Sequence, residues 1–183
     1  MNRSLTATFR FFDSEGIFIK QTGGEGDGPG EFRSKWACLP SDTWFVAYGS
    51  PRRAVWFDSE GDPVKTVRYP TGEGRGAGLS GVFSDGSFLL SGNLSSWSGS
   101  ELGPGLHTST QDVFVVSPGG DSAKTLFTMG IQKNDCTTER CLRQVFGPTG
   151  QLLPNGDEFY FGWPESYELG VADKGGRVLR SIR

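Results

Sequence analysis

Apolar and polar residues alternate along this chain in short runs, and turn-forming residues cut the runs. The clearest punctuation is Phe12-Asp13-Ser14-Glu15-Gly16. It returns as Phe57-Asp58-Ser59-Glu60-Gly61, as Val116-Ser117-Pro118-Gly119-Gly120 and as Ala172-Asp173-Lys174-Gly175-Gly176. Three positions after each closing glycine stands an apolar residue (Ile19, Val64, Ala123, Leu179), and one position later a basic one (Lys20, Lys65, Lys124, Arg180). This alternation predicts a strand with one face inward and one outward. The Asp-x-x-Gly before it predicts a tight turn whose glycine takes a positive φ. Asp13, Asp58 and Asp173 sit at the same offset in their copies and are therefore read as turn residues, not catalytic carboxylates.

A second hairpin motif lies between copies of the first: Leu39-Pro40-Ser41-Asp42, Phe83-Ser84-Asp85-Gly86 and Leu153-Pro154-Asn155-Gly156, each followed by an apolar strand. Spacers of about 19 and about 25 residues alternate between the two motifs, so the unit is about 44 residues and holds four strands. A repeated four-stranded unit of that size predicts a β-propeller blade. Two departures interrupt it: an insertion of about fifteen residues near Gly92–Thr110 and one of about ten near Gly130–Phe146.

Between blades the chain reads Gly23-Gly24-Glu25-Gly26-Asp27-Gly28-Pro29-Gly30-Glu31-Phe32. This loop, the Pro-Ser-Asp turn after it and Val55-Trp56-Phe57-Asp58 together resemble the NHL-type repeat, in particular the six-bladed bacterial propellers of that group. The match is tightest over 22–68 and looser over 92–150. It implies an all-β fold of four-stranded antiparallel blades with strands A to D running outward from a central channel. On that scheme 1–183 is one propeller segment: a half-blade at 1–22 and blades at 34–68, 79–128 and 148–183. Three and a half blades fall short of the 4–8 that close a ring, so the chain is expected to be part of a longer six-bladed ring. Open strand edges invite self-association. The glycine-rich string is no dinucleotide site, because no βαβ unit accompanies it.

Composition narrows the function classes. Of 183 residues, 28 are Gly and 10 Pro, and 35% are hydrophobic against 13% aromatic. That suits many short strands packed through rings. The net charge of −3 with mixed signs offers no basic stripe for nucleic acid. No apolar run is long enough for a membrane span, and Met1-Asn2-Arg3-Ser4 leads into Thr6-Ala7-Thr8-Phe9 without the apolar stretch of a signal peptide. Cys38, in an apolar segment, is expected to be a small buried hydrophobe. Cys136 and Cys141 share a polar loop. Their spacing can close a small disulfide ring, or they stand as two thiols in a reducing compartment. Neither has the further Cys or His ligands that zinc requires.

Blade topology sends the D–A and B–C loops to one face. That face is expected to collect Gly23–Phe32, Ser50–Arg53, both insertions, the cysteine loop and Trp163-Pro164-Glu165-Ser166. Extra loop length on a rigid scaffold is where binding resides. The candidate binding residues are Arg52, Arg53, Trp97, His107, Trp163 and Glu165. Trp97 is either an aromatic anchor or a locally packed ring, and His107 a polar contact beside it. Arg52 and Arg53 either read an acidic ligand or brace the B–C loop. Asp27 and Glu31, with Glu165, either hold a cation through oxygen ligands, or Glu31 and the glycines fix the entry turn into strand A while Asp27 is solvated.

The expectation is a non-enzymatic binding or scaffold module for a protein or small ligand, with no catalytic residues, metal or cofactor. The family resemblance implies a periplasmic or extracellular bacterial protein. The alternative is a metal-dependent hydrolase or lyase of the gluconolactonase or amidating-lyase type, which needs clustered acids and histidines at the channel mouth.

Overall fold

The computed structural model describes residues 8–40, 45–50, 52–68, 77–92, 103–138 and 140–183. They form two compact units, Met1–Tyr69 and Pro70–Arg183. The first holds a two-stranded sheet, β1 (Thr8–Phe12) and β2 (Phe18–Gly23), and a four-stranded sheet in the order β3 (Ser34–Pro40), β4 (Phe45–Ser50), β5 (Arg53–Phe57), β6 (Pro63–Arg68). The second holds a five-stranded sheet in the order β7 (Gly78–Val82), β8 (Phe88–Gly92), β9 (Gly105–Val116), β10 (Ala123–Cys136), β11 (Cys141–Arg143). Beside it is a four-stranded sheet, β12 (Gln151–Asn155), β13 (Glu158–Trp163), β14 (Glu168–Asp173), β15 (Val178–Ile182). Every ladder pair is antiparallel and joins sequence neighbours. The chain is all-β, and these meanders are β-propeller blades.

The repeated turns show why the motif recurs. Asp13 Oδ1 accepts the backbone N–H groups of Glu15 and Ile17 at 3.0 and 2.8 Å. Asp58 does the same for Glu60 and Asp62, and Asp173 for Gly175 and Arg177. Each turn closes on a glycine at positive φ: Gly16 at 84°, Gly61 at 80° and Gly176 at 86°. In the odd copy Ser117 replaces the aspartate; its Oγ accepts from Ser122 N and donates to Asp121 at 2.5 Å.

The cores lie between successive sheets. In the first unit Phe32, Ala47, Val55 and Phe57 are buried, with Phe9 and Phe45 packed on them. Phe45 and Phe57 stack at 4.7 Å, and Phe9 of β1 leans on both at 4.9 and 5.1 Å. In the second unit Phe83, Leu89, Val113, Met129, Phe159 and Ala172 form the equivalent cluster. Gly81 lets β7 and β12 approach: a Cβ there would lie 2.2 Å from Pro154.

Three expectations are corrected. The apolar residues of the outermost strands do not point into a core: Ile19, Val64 and Leu179 are 61%, 55% and 41% exposed. No further strand covers β6 or β15 among the described residues, so alternation there sorts side chains without burying them. The basic neighbours find partners instead. Lys20 pairs with Asp62 at 3.2 Å, Lys124 donates to the Gly175 carbonyl at 3.2 Å and Lys65 sits over the Trp56 ring at 4.8 Å. Cys38 is exposed, not buried, because β3 is the edge strand of its sheet.

The third correction concerns the two insertions, which are one object. Their residues pair with each other, Gly105–Thr110 against Gly130–Cys136, so β9 and β10 run on as a long ribbon, and β11 adds a third short strand. A ladder of that length closes backbone hydrogen bonds that separate loops would leave to water.

Candidate functional site

In the first unit the glycine-rich loop is a closed structure built around two side chains. Glu31 Oε2 accepts the Gly28 N–H at 2.9 Å. A Cβ at Gly26 would lie 2.2 Å from the same oxygen, so the glycines are there to wrap the carboxylate. Phe32 N donates to Gly24 O at 2.8 Å and completes the turn into β3. Arg53, 3% exposed, reaches in from β5. Its guanidinium donates to the carbonyls of Asp27 (2.9 Å), Gly26 (3.2 Å) and Glu31 and lies 5.4 Å from the Phe32 ring. Burial lowers its pKa.

Asp27 forms a two-pronged pair with Arg33, and this hydrogen bond holds its carboxyl below the usual range. Arg53 thus faces the loop's backbone, and Glu31 serves the turn. Arg52 is half-buried in the turn just before β5.

In the second unit the ribbon and the last blade line an open cavity of about 500 Å³. Its walls come from five strands. Thr108 and Thr110 line it from β9; Phe127, Thr128, Met129 and Gly130 from β10; Phe161, Gly162 and Trp163 from β13; Glu168 and Gly170 from β14; Val178 and Ser181 from β15. Glycines make the space for the rings. A Cβ at Gly170 would sit 2.4 Å from the Phe161 ring, and one at Gly130 would sit 3.2 Å from the Trp163 indole.

The rim is fixed by the short 3-10 turn Pro164–Ser166, after which Tyr167 takes φ 50°. Trp163 Nε1 donates to Glu165 Oε2 at 3.1 Å, and Lys133 of the ribbon pairs with Glu165 Oε1 at 2.5 Å. The Lys133 hydrogen bond, and after it the Trp163 one, hold the Glu165 carboxyl below its ordinary range. At the ribbon's far end Cys136 and Cys141 are joined by a disulfide. Asn134, buried, donates to Ser109 Oγ at 2.5 Å and accepts from Gln132 at 3.0 Å.

Of the sequence candidates, Trp163 and Glu165 come together at this cavity. His107 lies in β9, half-buried, with Nε2 against the Gly103 carbonyl at 2.8 Å. Trp97 lies outside the described residues. Asp27 and Glu31 belong to the first unit and Glu165 to the second. Among the described residues no three His, Cys, Asp or Glu side chains gather as metal ligands, and no helix is long and apolar enough to cross a membrane. Phe127, Phe161, Thr110 and Glu168 escaped sequence reasoning. The alternating, hydroxyl-rich run His107-Thr108-Ser109-Thr110 was the available signal, since it reads as a strand once the glycine before it is taken as a boundary.

No family model matches the chain, and no curated protein does. Among solved structures it is similar to BamB from Moraxella catarrhalis, at 12% identity and a TM-score of 0.40, with 98% of this chain and 59% of that chain covered. The chain therefore spans about six-tenths of that protein's length. The blade architecture rests on the ladders of this chain itself.

Proposed function

We propose that this chain is a non-enzymatic binding module whose ligand site is the cavity between the ribbon and the last blade. The cavity itself carries this reading: about 500 Å³, lined by three aromatic rings, three glycines and five hydroxyl side chains among its residues. That is the size and chemistry of a small-ligand pocket. The opposite, turn-bearing end of the same sheets supports the division of labour. There Ser84 donates to Asp157 at 2.6 Å and Lys174 pairs with Asp85 at 2.7 Å, so its polar groups are spent on fastening blade to blade.

The Gly23–Phe32 loop and its arginine clamp support membership of an NHL-type ring. The Cys136–Cys141 bridge supports an extracytoplasmic site of action. Self-association, where it occurs, uses the open edge of β1, whose one ladder partner among the described residues is β2.

The test is an NMR screen of soluble small molecules against the 15N-labelled chain, repeated with Ser181→Trp, which fills the cavity. Hits should move the amides of Gly130 and Gly162 and the Trp163 indole resonance, and should be lost in the variant. Hits that bind equally to both proteins, or none at all, reject the cavity as the site.

A further inference from the structure

We infer that this cavity recognises a small organic cation, an ammonium group carrying apolar substituents. The inference rests on the binding reading above and assigns its ligand class. The first observation is charge. The lining holds one carboxylate, Glu168, and no lysine or arginine, so the wall itself offers an anion a like charge and no cation. The nearby acid Glu165 is already engaged by Lys133 and the Trp163 indole. Glu168 is held differently. Its ion-pair partner is Arg183, at 3.7 Å, with that side chain 81% exposed. A long, solvent-exposed pair of this kind contributes little, so a cation delivered into the cavity can displace it.

The second observation is the ring content. Phe127, Phe161 and Trp163 all line the space, and the first two lie 4.7 Å apart, tilted at 44°. Aromatic faces attract ammonium groups, and alkyl substituents on nitrogen bury against the same rings. The hydroxyls of Thr108, Thr110 and Ser181 accept from any remaining N–H or O–H.

Three soluble probes of one shape separate charge from size: choline, its neutral carbon isostere 3,3-dimethylbutan-1-ol, and 3,3-dimethylbutanoate. Each is titrated into the 15N-labelled chain while the Gly130, Gly162 and Trp163 indole resonances are followed. Choline should bind about 10-fold more tightly than the alcohol, and the alcohol more tightly than the carboxylate. Glu168→Gln should bring choline and the alcohol to within about 2-fold of each other, the alcohol binding as before. Arg183→Gln, which frees Glu168, should tighten choline binding about 2-fold.

Equal binding of choline and the alcohol to the unmodified chain, or a choline preference that survives Glu168→Gln, overturns the cation assignment and leaves the binding reading standing. No response from any probe at about 10 mM sinks both.

Discussion

Arg53 decides between two roles that are easily confused, a residue that reads a ligand and one that holds a loop. Its guanidinium donates to three backbone carbonyls of the Gly23–Phe32 segment, and the side chain is 3% exposed. Replacement by methionine keeps much of the volume and removes all three donors. Hydrogen bonds to a charged group contribute roughly 1.5–3 kcal/mol each. Against that stand the cost of burying a cation and the Nε, buried without a partner among the described residues.

The net expectation for Arg53→Met is a loss of about 3 kcal/mol. Lysine, which supplies a point charge in place of a planar fork, should recover about 1 kcal/mol of it. The assay is urea unfolding followed by 19F NMR of 5-fluorotryptophan-labelled protein. Trp56 of β5, 2% exposed, reports the first unit and Trp163 the second. The Trp56 midpoint should fall by about 1–3 M urea, at an m-value of about 1–3 kcal/mol/M, with the Trp163 transition close to its original place. A Trp56 midpoint unmoved within about 0.5 kcal/mol would refute the clamp and return Arg53 to the list of ligand-reading residues.

Two further outcomes follow from the turns. Gly61 and Gly16 hold the same position in the repeat at nearly the same φ, but a Cβ at Gly61 would lie 2.4 Å from the Phe11 ring and one at Gly16 meets nothing within 4 Å. Gly16→Ala should therefore cost about 1 kcal/mol and Gly61→Ala about 3 kcal/mol by chemical denaturation; equal losses would show that backbone strain alone governs these turns. The Asp85 carboxyl is held down to about 2 from its ordinary 3.8, first by the Lys174 ammonium and then by Ser87. Stability from this contact is complete above about pH 4 and is lost as pH falls toward 2, because only the unfolded chain takes up the proton in that window. With the two side chains 42% and 45% exposed, solvent screening holds the effect to about 1 kcal/mol or less. Asp85→Asn should flatten the acid limb of stability between about pH 4 and pH 2, and an unchanged limb would show that the pair does not contribute.

The blades were legible in the sequence because their cause is local. An aspartate that accepts two N–H groups two and four residues on, followed by a glycine at positive φ, makes the same turn wherever it stands. The copies at 13–16, 58–61 and 173–176 did so. The entry loop was legible for a similar reason, since its glycines surround a carboxylate only three residues or so away. What the rings and outer strands do was not local. Lys20 finds Asp62 in the next blade, while its neighbour Ile19 faces water.

The two insertions carried no mark that they belong together. A ribbon exists only when Gly105–Thr110 meets Gly130–Cys136 across the β9–β10 turn, and backbone pairing is blind to most side chains. The cavity is a further step removed, because it depends on the space that Gly130 and Gly170 leave for rings from other strands. The sequence by itself determined the repeat and its turns through contacts within a few residues. Only tertiary structure decided where the ligand site lies, since that site is made of residues brought together by sheet packing.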